Sequence, residues 1–108
     1  MKRKKLILIN PVNPLRTGLT VNKSSRFPPI GLGIVASLTP ESWDIELLDE
    51  DFTPFNYRKA DLVGITAFTS SANRAYKIAS LYKEKGIPVV MGGIHATMRT
   101  EEALQFVD

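Results

Sequence analysis

Apolar positions along this chain come in short bursts that switch between two periods. Residues 61–68 read DLVGITAF, and Leu62, Val63, Ile65, Ala67 and Phe68 form a nearly unbroken apolar run. A strand covered on both faces has that pattern, which predicts a parallel sheet. The period then changes. Ala72, Ala75, Tyr76, Ala79 and Tyr82 recur at helical spacing, with Arg74, Lys77, Lys83 and Glu84 turned away from the stripe. Ser70 or Ser71 is placed to cap this helix, Gly86 to close it, and Pro88 to stop it. Residues 89–91 supply a further strand, so residues 61–100 read as strand, helix, strand.

The flanking segments extend the same architecture. Residues 6–9 are an apolar burst stopped by Asn10-Pro11, which suits a first, central strand. Residues 10–27 are polar and rich in helix breakers, longer than an ordinary strand-to-helix loop and of the kind that covers a ligand. Pro28-Pro29 opens a helix that runs to Leu38, and its apolar content predicts deep burial. Gly31 and Gly33 imitate a dinucleotide loop, yet they lie inside this helix, far from the strand end and without a third glycine. Their expected role is close approach, to the sheet or to a ligand. Residues 43–49 form the second strand, followed by Asp49, Glu50 and Asp51. An acid there can accept a ribose hydroxyl in a dinucleotide fold; without the glycine loop, a solvated strand end is the plainer reading. Residues 52–59 predict an irregular crossover, and Thr100 is placed to cap a last helix over residues 101–106.

The elements assemble into an α/β fold, a flavodoxin-like (Rossmann-like) open parallel sheet of order 2-1-3-4. An apolar fourth strand at the edge would be an aggregation hazard. The expectation is therefore a fifth strand, and a second domain, beyond Asp108. Ligands of such sheets sit beyond the carboxyl ends of the strands, which singles out residues 66–71 and 92–97.

Composition narrows the chemistry. The 108 residues, 44% apolar and 23% charged, suit one globular domain. No apolar run reaches membrane-spanning length and no secretory signal opens the chain, so a membrane is not an expected partner and the cytoplasm is the expected location. Without cysteine, the chain itself cannot hold a disulfide, a thiolate zinc site or a cysteine-bound iron–sulfur cluster, and a single histidine, His95, excludes a multi-histidine metal site. The net charge of +3 owes much to Lys2, Arg3, Lys4 and Lys5. This run reads as a solvated terminus rather than a nucleic-acid contact, since no aromatic residues interleave it.

Four stretches carry a resemblance: ILINP at residues 7–11, PPIGLGIVASL at 28–38, DLVGITAFTSS at 61–71 and GGIHATMRTEEAL at 92–104. Together they resemble the amino-terminal cobalamin-binding domain of class B radical S-adenosylmethionine enzymes, the group that includes the anaerobic magnesium-protoporphyrin monomethyl ester cyclase and many methyltransferases. The likeness spans nearly the whole chain, although Ile94 stands where the family often has proline. It implies a cobalamin whose nucleotide tail threads beside the third and fourth strands. Thr66, Thr69 and Ser70 match the hydroxyl-bearing third-strand exit, Gly92 and Gly93 the fourth-strand exit, and Asn10 the end of the first strand. His95 would either meet a phosphate or propionamide, or satisfy nearby backbone and hold its loop in shape; for Ser70 the alternative is helix capping.

Many cobalamin domains carry Asp-x-His-x-x-Gly after strand one, with the histidine as lower cobalt ligand. Here Asn13-Pro14-Leu15-Arg16-Thr17-Gly18 fills that frame, and leucine cannot ligate cobalt. The resemblance thus implies cobalamin without a protein imidazole from this loop. It also implies S-adenosylmethionine and a 4Fe-4S cluster only in a downstream radical domain in cis, where the methyl transfer or oxidative cyclisation would occur. Three rivals share the fold. A flavin carrier finds only a faint phosphate loop at Thr17-Gly18-Leu19-Thr20, a phosphorylation receiver lacks its aspartate at the third-strand exit, and a cofactor-free docking domain has no distinguishing residue.

Overall fold

The computed structural model describes residues 3–12, 30–50, 54–68 and 71–108. Four strands, β1 (Lys4–Asn10), β2 (Trp43–Asp49), β3 (Leu62–Thr66) and β4 (Val89–Gly92), form one sheet. Helix α1 (Ile30–Leu38) lies between β1 and β2, α2 (Ala72–Glu84) lies between β3 and β4, and α3 (Ile94–Met98) and α4 (Thr100–Ala103) follow β4. All pairings are parallel and the order is β2-β1-β3-β4, as the sequence predicts. β1 takes an interior place because its apolar burst serves both faces: Leu6, Ile7, Leu8 and Ile9 are all buried.

Register divides the sheet into two faces. Ile7 pairs with Val63, Ile9 with Ile65, and Val63 with Val89, which puts these five side chains on one side. α2 covers that side with Ala75, Ile78, Ala79 and Tyr82, and Ala103 and Val107 complete the same core. Two alanines in the stripe let the helix axis come close to the strands. The Tyr82 hydroxyl donates to Arg58 O at 3.0 Å, and its ring packs against Phe55 and Tyr57. The described residues of the β2 to β3 crossover, 54–61, contain neither helix nor strand; Tyr82 anchors their middle, and Asp61 is bonded to the Lys5 backbone at their end. Gly86, at φ 75°, closes α2, with the Ile87 amide bonded to Tyr82 O at 3.1 Å. Ser71 occupies the opposite cap position but does not cap: its hydroxyl donates to Phe68 O at 3.2 Å and accepts the Phe68 amide at 3.1 Å.

The other face carries a smaller cluster of Leu6, Leu8 and Leu32, flanked by Ala36, Trp43 and Leu62. Here the structure corrects the expectation of a deeply buried α1. Ile34 is 55% exposed, Val35 48% and Leu38 78%. α1 lies over β1, leaving Ile45 and Leu47 of β2 and Val90 of β4 exposed on the same face. Nor do Gly31 and Gly33 serve close approach to the sheet, since a methyl group at either would meet nothing within 4 Å.

The carboxyl-terminal helix is corrected too. Residues 92–97, expected as an exit loop, contain the start of α3, and α4 covers only Thr100–Ala103. Arg99 holds the cap position of α4, and the Thr100 hydroxyl instead donates back to Ala96 O at 2.7 Å. The cause is Gly93: at φ 93° it turns the chain from β4 directly into a new helix.

Candidate functional site

The carboxyl ends of β1, β3 and β4 lie side by side, and beneath two of them is a cleft of about 460 Å³ between the sheet and α1. That volume falls in the range of about 300–1,000 Å³ usual for small-molecule sites. Leu8, Gly64 and Val90 floor it, Gly31, Leu32 and Val35 form the helix wall, and Thr66, Gly92 and Gly93 form the mouth. The space exists because strand β3 carries glycine where its neighbours carry Leu8 and Val90. A methyl group built at Gly64 would stand 2.9 Å from Leu8 Cδ2 and 3.7 Å from Val90 Cγ2.

The mouth depends on two glycines in different ways. At Gly92 a Cβ would meet nothing within 4 Å, so any side chain there would grow into the opening. At Gly93 a Cβ would stand 2.6 Å from Thr66 Oγ1 and 3.1 Å from Ala67 N and O. The β3 and β4 exits therefore touch, and the Ala67 amide bonds Gly92 O at 3.3 Å while the His95 amide bonds Ala67 O at 3.0 Å. The Thr66 hydroxyl is half-buried at this point and has no hydrogen-bond partner among the described residues. A half-buried hydroxyl bordering an otherwise apolar slot is the kind of polar group that fixes a ligand's orientation. An apolar slot with one such hydroxyl and two bare corners fits a flat, uncharged aromatic base.

The structure thus brings Thr66, Gly92 and Gly93 together. Asn10 stands on the same edge of the sheet, but its amide donates to Asp49 Oδ1 at 3.0 Å and it does not line the cleft. Thr69, Ser70 and the Asn13 to Gly18 frame lie outside the described residues. Of the acids expected as a solvated strand end after β2, Asp51 lies outside the described residues, Asp49 accepts the Asn10 amide, and Glu50 accepts the Val12 amide at 3.1 Å and Nε and Nη2 of Arg74 at 3.2 and 3.0 Å. The Arg74 guanidinium is held above its ordinary pKa chiefly by that hydrogen bond.

His95 sits behind the mouth rather than in it. Its side chain is 5% exposed, and Nε2 lies 2.7 Å from Glu102 Oε2 and 2.8 Å from the Tyr76 hydroxyl. Tyr76 in turn donates to Glu102 Oε2 at 2.8 Å. An ionised carboxylate can accept from both the Tyr76 hydroxyl and a proton on Nε2. Burial, then the Glu102 contact, pushes the Tyr76 hydroxyl up to about 12. Hydrogen bonds from Tyr76 and then His95 hold Glu102 below its ordinary value.

The sequence marks Gly31 of the α1 wall, as a glycine for close approach to a ligand, but neither Leu32 and Val35 beside it nor Gly64 in the floor. A lone glycine inside a run of Leu, Val and Ile was the available signal for a close approach.

With this geometry in view, the comparisons with known proteins are direct. A family model described as the B12 binding domain matches residues 16–108. The chain is 44% identical over 81 residues to the bacteriochlorophyllide d C-8(2)-methyltransferase of Chlorobaculum tepidum, covering 73% of this chain and 18% of that protein. It is 36% identical over 104 residues to the bacteriochlorophyllide d C-12(1)-methyltransferase of the same organism, covering 94% and 22%. An uncharacterized methyltransferase of Pyrococcus horikoshii is 35% identical over 112 residues, covering 94% and 24%. The chain spans about a fifth of the length of the curated relatives it matches. No solved structure matches it.

Proposed function

This chain belongs to the B12-binding domain family, and on that premise we propose that the slot under Thr66, Gly92 and Gly93 receives the nucleotide tail of cobalamin. The observation that carries the reading is the half-buried Thr66 hydroxyl, without a partner among the described residues, at the lip of an apolar cleft with Gly64 in its floor and Gly92 and Gly93 on its rim. Leu8, Leu32 and Val90 hold the flat base by its faces, and Thr66 bonds its polar edge. Apolar walls exclude water, which makes the single hydrogen bond count for more. Gly92 keeps the entrance clear. Leucine at position 15 cannot ligate cobalt, so the cofactor would bind without an imidazole from this loop.

Cobalamin bound here supplies a cobalt that can carry a methyl group. We infer that the longer protein uses it in a methyltransferase, with S-adenosylmethionine and a 4Fe-4S cluster held by a domain that follows in cis, in the cytoplasm. The methyltransferase names of the relatives support the first part. Among the described residues no helix is long and apolar enough to cross a membrane. We further propose a fifth strand along the outer edge of β4. Its support is the pair of bonds already made on that edge, from the Asp108 amide to Val89 O at 2.8 Å and from the Val89 amide to Asp108 Oδ2 at 3.0 Å.

Titration with hydroxocobalamin, followed in the visible spectrum, tests the cofactor. A saturable spectral change that Thr66→Val weakens supports the assignment. Absence of any saturable change overturns it, as does preferential uptake of a flavin.

A further inference from the structure

We propose that His95 is a positioning residue: its ring, tied to Tyr76 and Glu102 behind the sheet, holds the Gly92-Gly93 turn against β3 and so sets the width of the slot's mouth. The inference rests on the slot being the ligand site. It assigns His95 to the second of the roles its sequence context allowed, and it adds two residues, Tyr76 and Glu102, that no motif had marked.

The geometry runs from ring to mouth in two steps. First, the imidazole is held by side chains from two helices. Nε2 meets Tyr76 of α2 at 2.8 Å and Glu102 of α4 at 2.7 Å. The Tyr76 ring stands edge-on to the imidazole at 5.9 Å and stacks on Phe106 at 4.1 Å. Second, the backbone of the same residue is bonded to β3, since the His95 amide donates to Ala67 O at 3.0 Å. Gly93 lies between His95 and the last residue of β4, and its Cα faces the Thr66 hydroxyl with no room for even a methyl group. A shift of the His95 backbone by a few tenths of an ångström therefore changes the Thr66 to Gly93 separation directly. The ring itself lines no part of the cleft, so its influence on a ligand passes through the main chain.

The cluster also explains why an apolar residue would not serve. The buried Tyr76 hydroxyl and the Glu102 carboxylate, whose side chain is 37% exposed, both meet the imidazole and also bond each other. Without the imidazole that mutual bond survives, but α2 and α4 lose the polar contact that ties them to the segment following Gly93. The turn then keeps only its backbone bonds to β3.

The test compares hydroxocobalamin, which carries the nucleotide tail, with cobinamide, which lacks it, in the protein and its His95→Ala, Tyr76→Phe and His95→Gln variants. The preference for hydroxocobalamin over cobinamide is expected to fall by about tenfold in His95→Ala and Tyr76→Phe, the size that follows from losing a hydrogen bond to a charged group, and to recover in part in His95→Gln. Amide hydrogen exchange at His95 and Ala67 is expected to rise by a similar factor, with β1 amides unchanged. Tyr76→Phe is the mild variant that keeps the test open if His95→Ala does not fold. Unchanged exchange at those two amides overturns the proposal. So does an equal loss of affinity for both corrinoids in His95→Ala with Tyr76→Phe neutral, which would make His95 a direct contact. If the unaltered protein does not distinguish the two corrinoids, the tail-slot reading fails by itself. The exchange measurement still decides whether His95 holds the turn.

Discussion

The two faces of the sheet are built from the same four strands and differ in almost everything else. Behind, α2 lays an alanine stripe on Ile7, Ile9, Val63, Ile65 and Val89, and every one of those five is at most 2% exposed. In front, α1 covers Leu6 and Leu8 but leaves Ile45, Leu47 and Val90 open to solvent. The rear face carries the stability and fixes where each strand ends. The front face, held in place from behind, has room for a guest. A large apolar surface left uncovered on a well-packed scaffold commonly marks a binding site, and here it borders the glycine-rimmed cleft.

Tyr82→Ala should give the sharpest contrast. Tyr82 is fully buried behind the sheet and bonds the crossover at Arg58. Its truncation is expected to cost about 3–5 kcal/mol, the range for emptying an aromatic core site, read as a lowered denaturation midpoint in urea. Ligand affinity of the fraction still folded should hardly change. An equal loss of affinity would mean that the two faces are not separable.

Gly93→Ala attacks the seam between the faces. Its φ of 93° and ψ of −177° belong to a region that only glycine populates freely, and its Cβ would strike Thr66 Oγ1. The expected cost is about 1–3 kcal/mol of stability, together with weakened cobalamin uptake. If stability is unaffected, the turn is looser than the contact distances imply.

Gly64→Val tests the front face alone. Valine suits a strand, and the Leu8 side-chain end nearest to it can rotate away. Folding should survive while the branched side chain fills the floor of the cleft. The expected outcome is a loss of cobalamin affinity of about 100-fold, equivalent to about 2.7 kcal/mol, read by spectral titration. Wild-type affinity in a folded Gly64→Val protein would place the tail elsewhere.

How much of this the chain discloses in its order of residues depends on how many residues share each message. Strand order and the α2 stripe were legible because Val63, Ile65, Ala75, Ala79 and Tyr82 repeat one signal. Gly92 and Gly93 were legible as a bare corner. The helix that follows them was not, because it follows from one backbone angle at Gly93 and has no cap to announce it. The burial of α1 was overestimated for a related reason: periodicity shows that Ile34, Val35 and Leu38 are apolar, but not whether anything lies against them. The network joining His95 to Tyr76 and Glu102 spans residues 76–102 and has no local signature at all. Only the fold brings an acid from α4 to a tyrosine from α2.

The same contrast predicts how the molecule answers to pH. The groups with shifted pKa values, Arg74, Tyr76, Tyr82, Glu102 and Asp108, attach to α2, α4 and the strand edge, whereas the described residues that line the cleft include no ionisable side chain. Tyr76 is raised from its ordinary 10.0 to about 12, so the folded chain keeps that proton more tightly than the unfolded one. Its stabilising share is complete below pH 10 and is lost as the pH climbs from there toward 12. Glu102 and Asp108 are lowered, the first mainly by the Tyr76 hydrogen bond and the second mainly by the Val89 amide. Their share is complete above the ordinary carboxylate range and fades as the pH falls through their folded values. Urea midpoints should therefore drop at both extremes, and Tyr76→Phe should flatten the alkaline limb.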